Sequence, residues 1–363
     1  MARNKLISYL VLYPVSLCYG LGVAVRNWMF NHGLLAQQEY DIPVVSVGNI
    51  AMGGTGKTPH TEYIVDALRS RFKMAVLSRG YKRHSKGFVL ADKHSTVDDL
   101  GDEPLQMYRK FGRNVTVAVC ESRVEGIDSL LENDPKINMV VLDDAFQHRY
   151  VKPMVSIVLT DYNRPVYTDS LLPFGKLREP MSAINRADIV IVTKCPSDIR
   201  PMDTRLVKQH LNLYPYQKLF FSTLEYKQPV ALFPDKAKPC PDLGTLRPDD
   251  MVLSLTGIEN PRPFVKYLRR YKAKVKIKRF ADHHHFTAND LEAVSAKFEG
   301  MTAKRKIILT TEKDAMRLMS HPDFPEHLKP YIYYIPVKVK IIENDRQPSL
   351  EDTIQQLVKN KNI

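Results

Sequence analysis

The sequence has little cysteine, and the positions of its cysteines argue against two kinds of small fold. The chain contains four cysteines, which lie far apart and form no CxxC pair: Cys18, Cys120, Cys195 and Cys240. A disulfide framework and a zinc ribbon both depend on closely spaced cysteine pairs, so the pattern favours neither of them. A reducing cytosolic compartment fits this distribution.

The sequence also lacks internal repeats, low-complexity tracts and, after residue 30, any long apolar run. The one long apolar run reads LISYLVLYPVSLCYGLGVAVRNWMF from Leu6 to Phe30, with Arg3 and Lys5 before it and Arg26 near its end. No clear small-residue cleavage site follows it, which disfavours a cleaved signal peptide. It has about the ~20 residues of a membrane span, but Pro14 and several tyrosines weaken that interpretation. We expect a helix that lies in or dips into the bilayer interface, with a spanning helix and a buried core helix as alternatives.

The charge of the chain is strongly unbalanced. Its formal net charge is +13 over 363 residues, which favours a polyanionic partner such as a phosphorylated substrate, an anionic membrane surface or nucleic acid. The basic residues are scattered and form no stripe interleaved with aromatic residues, so nucleic acid is the least favoured of the three. The length predicts two domains of unequal size.

Valine-rich apolar runs recur along the first part of the chain and alternate with helical stretches. The first run, Ile42 to Asn49, is continuously apolar and leads into glycines, as is typical of a strand buried on both faces. Similar runs follow at Met74–Ser78, Val115–Val119, Met139–Leu142, Val155–Leu159 and Ile189–Thr193. The alternation predicts an α/β fold with a doubly wound, mostly parallel sheet and ligands at the carboxyl ends of its strands.

A second, smaller α/β domain is predicted near the carboxyl terminus. A proline-rich region at 229–250 separates it from the first domain and reads as a linker. Apolar runs beyond the linker lie at Val252–Gly257, Lys274–Phe280, Lys306–Asp314 and Tyr331–Val339. The expected division is therefore an N-terminal helix at 1–35, a core at 36–228, the linker at 229–250 and the smaller domain at 251–363.

The strongest single motif is GNIAMGGTGKTP, which extends from Gly48 to Pro59. It follows the first predicted strand and precedes an amphipathic helical stretch, an arrangement that points backbone N–H groups and a helix amino terminus at a triphosphate. The strict pattern has glycine where Ala51 stands. The residues predicted to hold the phosphates are Gly53, Gly54, Thr55, Gly56, Lys57 and Thr58. Lys57 would neutralise the β- and γ-phosphates, and the Thr58 hydroxyl would bind Mg²⁺.

Two aspartates close the predicted strand MVVLDD. Asp143 and Asp144 lie where phosphate-loop folds hold magnesium, provided that this strand is a neighbour of the one before the loop. The loop and the aspartates together predict nucleoside triphosphate hydrolysis or phosphoryl transfer. They do not decide between the two.

Eight motifs, in order from Asp41 to Leu318, closely resemble the tetraacyldisaccharide 4'-kinase family, the lipid A 4'-kinases of Gram-negative bacteria. The motifs are GNIAMGGTGKTP, LSRGYKR (Leu77–Arg83), GDEPLQM (Gly101–Met107), VLDDAFQHR (Val141–Arg149), LLPFGKLREP (Leu171–Pro180), TGIENPRPF (Thr256–Phe264), ADHHHFTANDL (Ala281–Leu291) and TTEKDAMRL (Thr310–Leu318). Departures from the family pattern are Ala145, Phe174 and Lys176. None of them removes a residue that is expected to do chemistry.

The resemblance implies a P-loop NTPase-like fold and transfer of the ATP γ-phosphate to the 4'-hydroxyl of a tetraacyl glucosamine disaccharide 1-phosphate, with ATP and Mg²⁺ bound. It implies a location at the cytoplasmic face of the bacterial inner membrane, peripheral or monotopic through the N-terminal helix. The expected partners are the glycolipid substrate and the membrane surface, with no nucleic acid and no obligate protein partner.

Proton removal from a sugar hydroxyl requires a base. Asp102 is the candidate, with Glu103 beside it as a further candidate magnesium ligand. The resemblance implies that Asp102 works with His283, contributed by the second domain. The triple histidine could instead form a zinc or nickel site with Asp282 and His148, but adjacent histidines do not easily point at one ion.

Further candidates surround these residues. Candidates for binding substrate or phosphate are Arg123, Arg178, Glu179, His148, Gln147 and Tyr81, with Glu179 expected to orient one of the two arginines. Arginine suits this role because its fork of donors matches phosphate oxygens, although surface ion pairs explain the same residues. Arg79 and the segment Glu312, Lys313 and Asp314 are left open between a role in the site and a structural role.

A second hypothesis is a phosphate-loop GTPase or ATPase that acts as a metal-insertion or assembly factor. GTPases carry an Asn-Lys-x-Asp loop. The segment VTKCPSD, Val192 to Asp198, has threonine before the lysine and no aspartate two residues after it, which counts against this alternative. Hydrolysis without a lipid acceptor would favour it.

Overall fold

The computed structural model describes residues 8–240, 242–343 and 347–361, and within these ranges the strands form one nine-stranded and one five-stranded sheet. A short π-helical turn, Ser8–Leu12, continues into helix α1, Tyr13–Asn31. The first residues of the predicted apolar segment, with Arg3 and Lys5, lie outside the described residues.

The larger sheet contains the strands predicted for the first domain. Its strand order is β14-β8-β7-β6-β1-β5-β2-β4-β3. The strands are β1 (Val44–Asn49), β2 (Met74–Ser78), β3 (Val89–Leu90), β4 (Thr116–Val119), β5 (Met139–Asp143), β6 (Val155–Asp161), β7 (Ile189–Thr193), β8 (Lys218–Tyr226) and β14 (Val337–Ile341). The helices along this part of the chain are α2 (Lys57–Leu68), α3 (Val97–Leu100), α4 (Asp102–Phe111), α5 (Arg123–Asn133) and α6 (Pro201–Leu211).

Strand β1 lies at the centre of this sheet and every one of its residues is buried. It pairs in parallel with β5 on one side and β6 on the other, with Val47 in register with Asp143. A central strand whose neighbours come from later in the chain is the topological switch point where α/β sheets bind ligands. The fold confirms the predicted doubly wound, mostly parallel sheet.

The smaller sheet has the strand order β11-β10-β12-β13-β9 and is also mostly parallel. Its strands are β9 (Val230–Ala231), β10 (Met251–Thr256), β11 (Lys274–Arg279), β12 (Lys306–Thr311) and β13 (Ile332–Ile335). The helices around it are α7 (Arg262–Leu268), α8 (Ala288–Glu299) and α9 (Glu312–Met319), and α10 (Leu350–Lys361) follows β14. Helix α9 begins immediately after β12, where the Thr311 side chain accepts a hydrogen bond from the Asp314 N–H and caps the helix.

The run at 331–339 was predicted as one strand of the smaller domain, and this prediction is wrong. Pro336 divides it into β13, which stays in the smaller sheet, and β14, which pairs antiparallel with β8 of the larger sheet. Helix α10 then packs against α2 and β6 of the larger sheet. The division at 36–228, 229–250 and 251–363 stays a prediction. A division by sheets assigns 230–231 to the smaller sheet and 337–361 to the larger one.

The two sheets share one hydrophobic cluster. Leu100 and Leu105, beside and within α4, pack together with Leu253 of β10 and Ile308 of β12, and all four side chains are buried. Each fully buried leucine or isoleucine contributes about 1.5–3 kcal/mol. Helix α9 also packs directly against α4. The residues at the amino end of α4 are therefore held against the smaller sheet.

Candidate active site

A cleft of about 2470 Å³ lies between the two sheets and extends to α1. Its wall includes Tyr19 of α1, the whole segment Gly53–Thr58, and His283 and Lys313 from the smaller sheet. The carboxyl ends of β1 and β5 face this cleft, as the topology requires. It is the space in which the predicted site residues are to be placed.

The phosphate loop joins β1 to α2. Gly53 and Gly56 have φ of 107° and 89°, a region that glycine adopts without steric cost. Asn49 donates a hydrogen bond to the Thr55 hydroxyl at 2.7 Å, and the Thr193 hydroxyl donates to the Thr55 carbonyl at 2.8 Å. Helix α2 begins at Lys57 without a side-chain cap. Its amino terminus can therefore receive an anion from the cleft.

Asp143 and Asp144 follow β5, directly beside the loop. Asp143 is 1% exposed; one of its oxygens accepts from the Thr61 hydroxyl at 2.7 Å, and Oδ2 has no hydrogen-bond partner among the described residues. Burial, and next the nearby Glu103 carboxylate, raise the pKa of Asp143 to about 7. Asp144 lies 3.6 Å from the Lys57 ammonium and 3.1 Å from the Arg178 guanidinium. An unpartnered buried carboxylate oxygen fits a cation ligand.

No group of three histidine, cysteine, aspartate or glutamate side chains could hold a metal ion within the described ranges. Mg²⁺ at kinase sites commonly takes one or two carboxylates and completes its shell with water and substrate phosphates. The donor set of Thr58, Asp143 and Asp144 fits that requirement, with Glu103 close enough to act on Asp143 electrostatically. The assignment of these four residues as magnesium ligands remains a prediction.

Asp102 and His283 are in contact. Asp102 is the first residue of α4, and its Oδ2 lies 3.1 Å from Nδ1 of His283, which has a φ of 53°. Asp102 is 4% exposed and does not line the cleft, whereas His283 does. Burial opposes its charge, but the hydrogen bond from His283 and the charges of Lys313 and Arg317 hold the pKa of Asp102 well below its usual range. The imidazole, with the carboxylate behind it, is therefore the group of this pair that faces the cleft.

Lys313 occupies the other side of the imidazole. Its ammonium lies 2.9 Å from Nε2 of His283 and 3.0 Å from Glu103 Oε1. An ammonium can only donate, so Nε2 is the acceptor and Nδ1 carries the proton toward Asp102. Glu312 pairs instead with Lys110 of α4, and Asp314 is bonded to the Gly257 N–H, so these two neighbours support the structure around the site.

The other histidines of the triplet point elsewhere. His284 is hydrogen-bonded to Asp290 at 2.8 Å, and His285 stacks on His84 with ring centroids 6.3 Å apart. His148 lies on the side of the cleft formed by the larger sheet, where its Nε2 accepts a hydrogen bond from the Arg123 N–H at 3.1 Å. The three adjacent histidines are therefore not directed at one point, and they do not converge with His148.

The cationic candidates line the cleft beside the aspartates. Arg178 donates to the Asp144 carboxylate and, at 3.3 Å, to the side-chain amide oxygen Oε1 of Gln147. Arg123 is buried and donates to the carbonyls of Cys120 and Glu121, while its Nε lacks a partner among the described residues. Its position in the cleft wall leaves a phosphate role open.

Glu179 was expected to orient one of these arginines, and the structure contradicts this. The Glu179 carboxylate pairs with Arg186 at 2.9 Å and accepts from Gln147 at 3.1 Å and Asn27 at 2.9 Å. Because Asn27 belongs to α1, this buried carboxylate ties the N-terminal helix to the cleft. The side chains of Glu179 and Arg178, although consecutive in sequence, are linked through the Gln147 amide.

Tyr81 and Arg79 follow β2 and line the cleft. The exposed Tyr81 ring meets the His283 ring edge to face, with centroids 5.0 Å apart. It could therefore restrict the ring orientation or contact a substrate beside it.

Three residues at the site were missed from the sequence. Glu259, in TGIENPRPF, accepts a hydrogen bond from the Gly54 N–H at 2.9 Å and pairs with Lys176. Lys194 bonds the Gly54 carbonyl and Asp161. Arg317 contacts Asp102. All three lie in segments that the sequence analysis quotes. Only for Arg317 does the sequence indicate a partner, because it lies three residues after Asp314 and residues three apart share a helix face.

The fold and the site are those of a phosphate-loop nucleotide-binding protein, with a hydrogen-bonded Asp–His pair on the side of the cleft opposite the loop. The family model for tetraacyldisaccharide-1-P 4'-kinase matches residues 8–359. The tetraacyldisaccharide 4'-kinase of Bacteroides thetaiotaomicron is 48% identical over 342 residues, covering 92% of this chain and 90% of that protein. That of Bacteroides fragilis (strain ATCC 25285) is 45% identical over 348 residues, covering 95% of this chain and 92% of that protein. This chain belongs to the tetraacyldisaccharide 4'-kinase family.

A solved structure agrees with this assignment. The crystal structure of LpxK from Aquifex aeolicus in complex with ATP superposes with a TM-score of 0.73 and 27% sequence identity, covering 99% of this chain and 100% of that one. The similarity includes both sheets, so the predicted family and fold class are confirmed.

Proposed function

We propose that this protein transfers the γ-phosphate of ATP to the 4'-hydroxyl of a tetraacyl glucosamine disaccharide 1-phosphate. The observation that supports it most is one cleft with a phosphate loop and the unpartnered Asp143 oxygen on one side and the Asp102–His283 pair on the other. A phosphoryl donor and an alcohol acceptor must meet in such a space. The family membership supplies the identity of both.

The residues from Gly53 to Thr58 would hold the triphosphate through main-chain amides and the Lys57 ammonium. Thr58, Asp143 and Asp144, with Glu103 nearby, would hold Mg²⁺, which when bound neutralises charge on the phosphates. Arg178 is the best placed additional cation because it already lies beside Asp144. Phosphoryl transfer depends mainly on such positioning and charge stabilisation.

The Asp102–His283 pair would remove the proton of the sugar hydroxyl. With Nδ1–H donated to Asp102, Nε2 of His283 is free to accept a proton once Lys313 yields that side of the ring to the acceptor. Asp102 stabilises the imidazolium that results. The two residues come from different sheets, so the pair exists only while the sheets are together.

Membrane attachment through α1 completes the proposal. The helical segment Leu10–Asn31 is long and apolar enough to cross a bilayer by length and composition, and very little of it is buried in the protein. So small a buried share favours a surface helix over a core helix. One side packs on the protein through the Ser16 hydroxyl, which donates to the Leu171 carbonyl, and the other exposes leucine and valine side chains. We place the protein at the cytoplasmic face of the inner membrane, where the net charge of +13 suits anionic lipid.

A labelling experiment tests this function. The purified protein is incubated with γ-labelled ATP or GTP, Mg²⁺ and the glycolipid in detergent micelles. We expect label in the lipid with ATP and its loss in Lys57→Ala, whereas Lys152→Ala, which removes a surface lysine paired with Glu39, leaves transfer unchanged. Rapid nucleotide hydrolysis with unlabelled lipid would support the GTPase or ATPase alternative instead.

A further inference from the structure

Arg317 bridges the two sheets at the base of the cleft. It belongs to α9 beside the smaller sheet, is 8% exposed, and directs Nε to Oδ2 of Asp102 at 3.1 Å. Its Nη2 also bonds that oxygen. Through Nη1 it bonds Oδ1 of Asp314 at 3.0 Å and the Gly257 carbonyl at 3.2 Å. The guanidinium is therefore hydrogen-bonded to Asp102 on one side and to Asp314 and Gly257 on the other.

The anchor on the side of the smaller sheet is rigid. Asp314 is fully buried, and its Oδ2 accepts from the Gly257 N–H at 3.0 Å and from the Thr311 hydroxyl at 2.7 Å. Every one of these partners lies at the carboxyl end of β10 or at the start of α9. The position of the Arg317 guanidinium is therefore set by its own sheet before it reaches Asp102.

Stability alone is a weak reason for this arrangement. Burying an arginine between two aspartates costs desolvation energy that the ion pairs roughly offset, and apolar residues of similar size often do as well. The same Asp102 oxygen that receives Arg317 receives the imidazole of His283. The arginine thus fixes the carboxylate, and the carboxylate fixes the ring whose other nitrogen faces the cleft.

We propose that Arg317 is a positioning residue for phosphoryl transfer: it holds the Asp102 carboxylate so that His283 presents Nε2 to the acceptor hydroxyl. This inference rests on the proposed function. Arg317 does not line the cleft, and its contacts toward the cleft are with the pair itself: Oδ2 of Asp102 and, at 3.4 Å, Nδ1 of His283. It therefore acts through the Asp102–His283 pair. It also makes the pair depend on the packing of α9 against α4.

We expect the substitution of Arg317 to lower kcat. Without the guanidinium, Asp102 can rotate and the imidazole loses its orientation, and a misplacement of about 1 Å can cost about 10²-fold in rate. The phosphate loop is untouched, so the KM for ATP stays within about twofold. A lysine at this position cannot make the forked contact to Asp102 and also reach Asp314. Arg317→Lys should therefore keep the fold but still lose about tenfold or more in kcat.

The experiment measures kcat and KM for Arg317→Ala, Arg317→Lys and the control Arg305→Ala. Arg305 serves as the control because its partly exposed guanidinium pairs with the buried Asp250 carboxylate at the amino ends of β10 and β12, outside the lining of the cleft. Both Arg317 variants are also made in a His283→Ala background, and guanidinium ion is added to Arg317→Ala at a concentration that does not unfold the protein.

We expect the loss in kcat for both Arg317 variants, partial recovery of Arg317→Ala with guanidinium, and little further loss when His283 is already alanine. Arg305→Ala should keep wild-type kcat. A full additional loss from Arg317→Lys in the His283→Ala background, or wild-type kcat in Arg317→Lys, would overturn the inference. If the wild-type protein labels no glycolipid at all, the proposed function fails rather than the role of Arg317.

Discussion

The imidazole of His283 and the carboxylate of Asp102 meet at 3.1 Å although the first follows β11 of the smaller sheet and the second begins α4 beside the larger one. Neither sheet holds the pair by itself. Any change that separates α4 from α9 separates the two residues as well. The contact between Asp102 and His283 therefore depends on how the two sheets pack.

Asp143 should be more important for activity than an ordinary buried aspartate. Asp143→Asn keeps one oxygen that can accept from the Thr61 hydroxyl. It replaces the other carboxylate oxygen, which has no partner among the described residues, with an NH₂ group that cannot bind magnesium. We expect kcat to fall by about 10²-fold or more, with a higher Mg²⁺ concentration needed for half-maximal rate. Steady-state kinetics across a Mg²⁺ titration measures both.

The control for this prediction is Asp188→Asn. Asp188 accepts a hydrogen bond from the Ser156 N–H, but it lies away from the phosphate loop and pairs with Lys361. Its Mg²⁺ dependence should match that of the wild-type protein. Equal effects of the two substitutions would show that Asp143 acts only in folding.

Glu259 should weaken the binding of ATP. Its carboxylate accepts the Gly54 N–H in the loop where phosphate oxygens are expected, so it competes with them and repels their charge. Glu259→Gln keeps an acceptor oxygen without the charge, and we expect ATP to bind about fivefold more tightly, since partly exposed charge interactions are worth about 1 kcal/mol. Calorimetric titration with ATP checks this.

Glu225→Gln serves as the control for Glu259, because Glu225 also lines the cleft but pairs with Lys227 and Lys340 at its edge. It should leave the affinity unchanged. Weaker binding by Glu259→Gln would instead mean that this carboxylate supports the nucleotide.

His60 should make the stability of the protein fall in mild acid. Burial lowers its pKa to about 4 from 6.5, and its neutral ring joins the Gly56 carbonyl at 2.7 Å to the Ser222 hydroxyl at 2.8 Å. Between pH 6.5 and 4 the unfolded state binds a proton that the folded state does not. The stabilisation from His60 is therefore complete above about pH 6.5 and is lost as the pH falls toward 4, by roughly 3 kcal/mol in all.

Denaturant unfolding at a series of pH values tests this. His60→Gln should flatten the decline of unfolding free energy in that window relative to the wild type, whatever its stability at neutral pH. The exposed His84 is the control position, and His84→Gln should keep the wild-type slope. A slope unaffected by His60→Gln would contradict the assignment.

The exposed side of α1, together with Leu10 in the π-helical turn before it, should bind the bilayer. Leu10, Leu17 and Leu21 are each more than half exposed, and each leucine moved from water into lipid contributes about 1.5–3 kcal/mol. Changing all three to serine should weaken binding to vesicles of anionic phospholipid by at least about 10²-fold. Vesicle flotation measures the bound fraction.

Two other exposed apolar residues, Met202 and Leu206 of α6, provide the matched control. Their change to serine should leave flotation unaffected. If the α1 variant floats as well as the wild type while the α6 variant does not, the membrane surface has been assigned to the wrong helix.

The features that the sequence predicts well are local ones. The valine run before Gly48 is recognisable because both faces of β1 are buried, and the loop because its glycines and Lys57 are consecutive. Pro336 was passed over because strands on either side of it belong to different sheets, which no local pattern shows. Glu259 and Arg317 follow strands of the smaller sheet and contact residues that follow strands of the larger sheet or lie beside it, so their partners are set by tertiary packing rather than by spacing.

The role of Asp102 illustrates the same limit. The residue type and motif predict a base, but only the structure shows that His283, not Asp102, faces the cleft. Burial and hydrogen bonding decide which member of such a pair meets the substrate. The sequence contains both residues but does not indicate which of them faces the cleft.

The position of the transferred phosphate tests the central claim most directly. The protein is incubated with ATP, Mg²⁺ and the tetraacyl glucosamine disaccharide 1-phosphate, and the product is analysed by phosphorus NMR spectroscopy with proton correlation. The account predicts a second phosphate monoester on the 4'-oxygen, formed by the wild type and nearly absent with His283→Ala. A phosphate on another hydroxyl, or inorganic phosphate released at the same rate with and without the glycolipid, would contradict it.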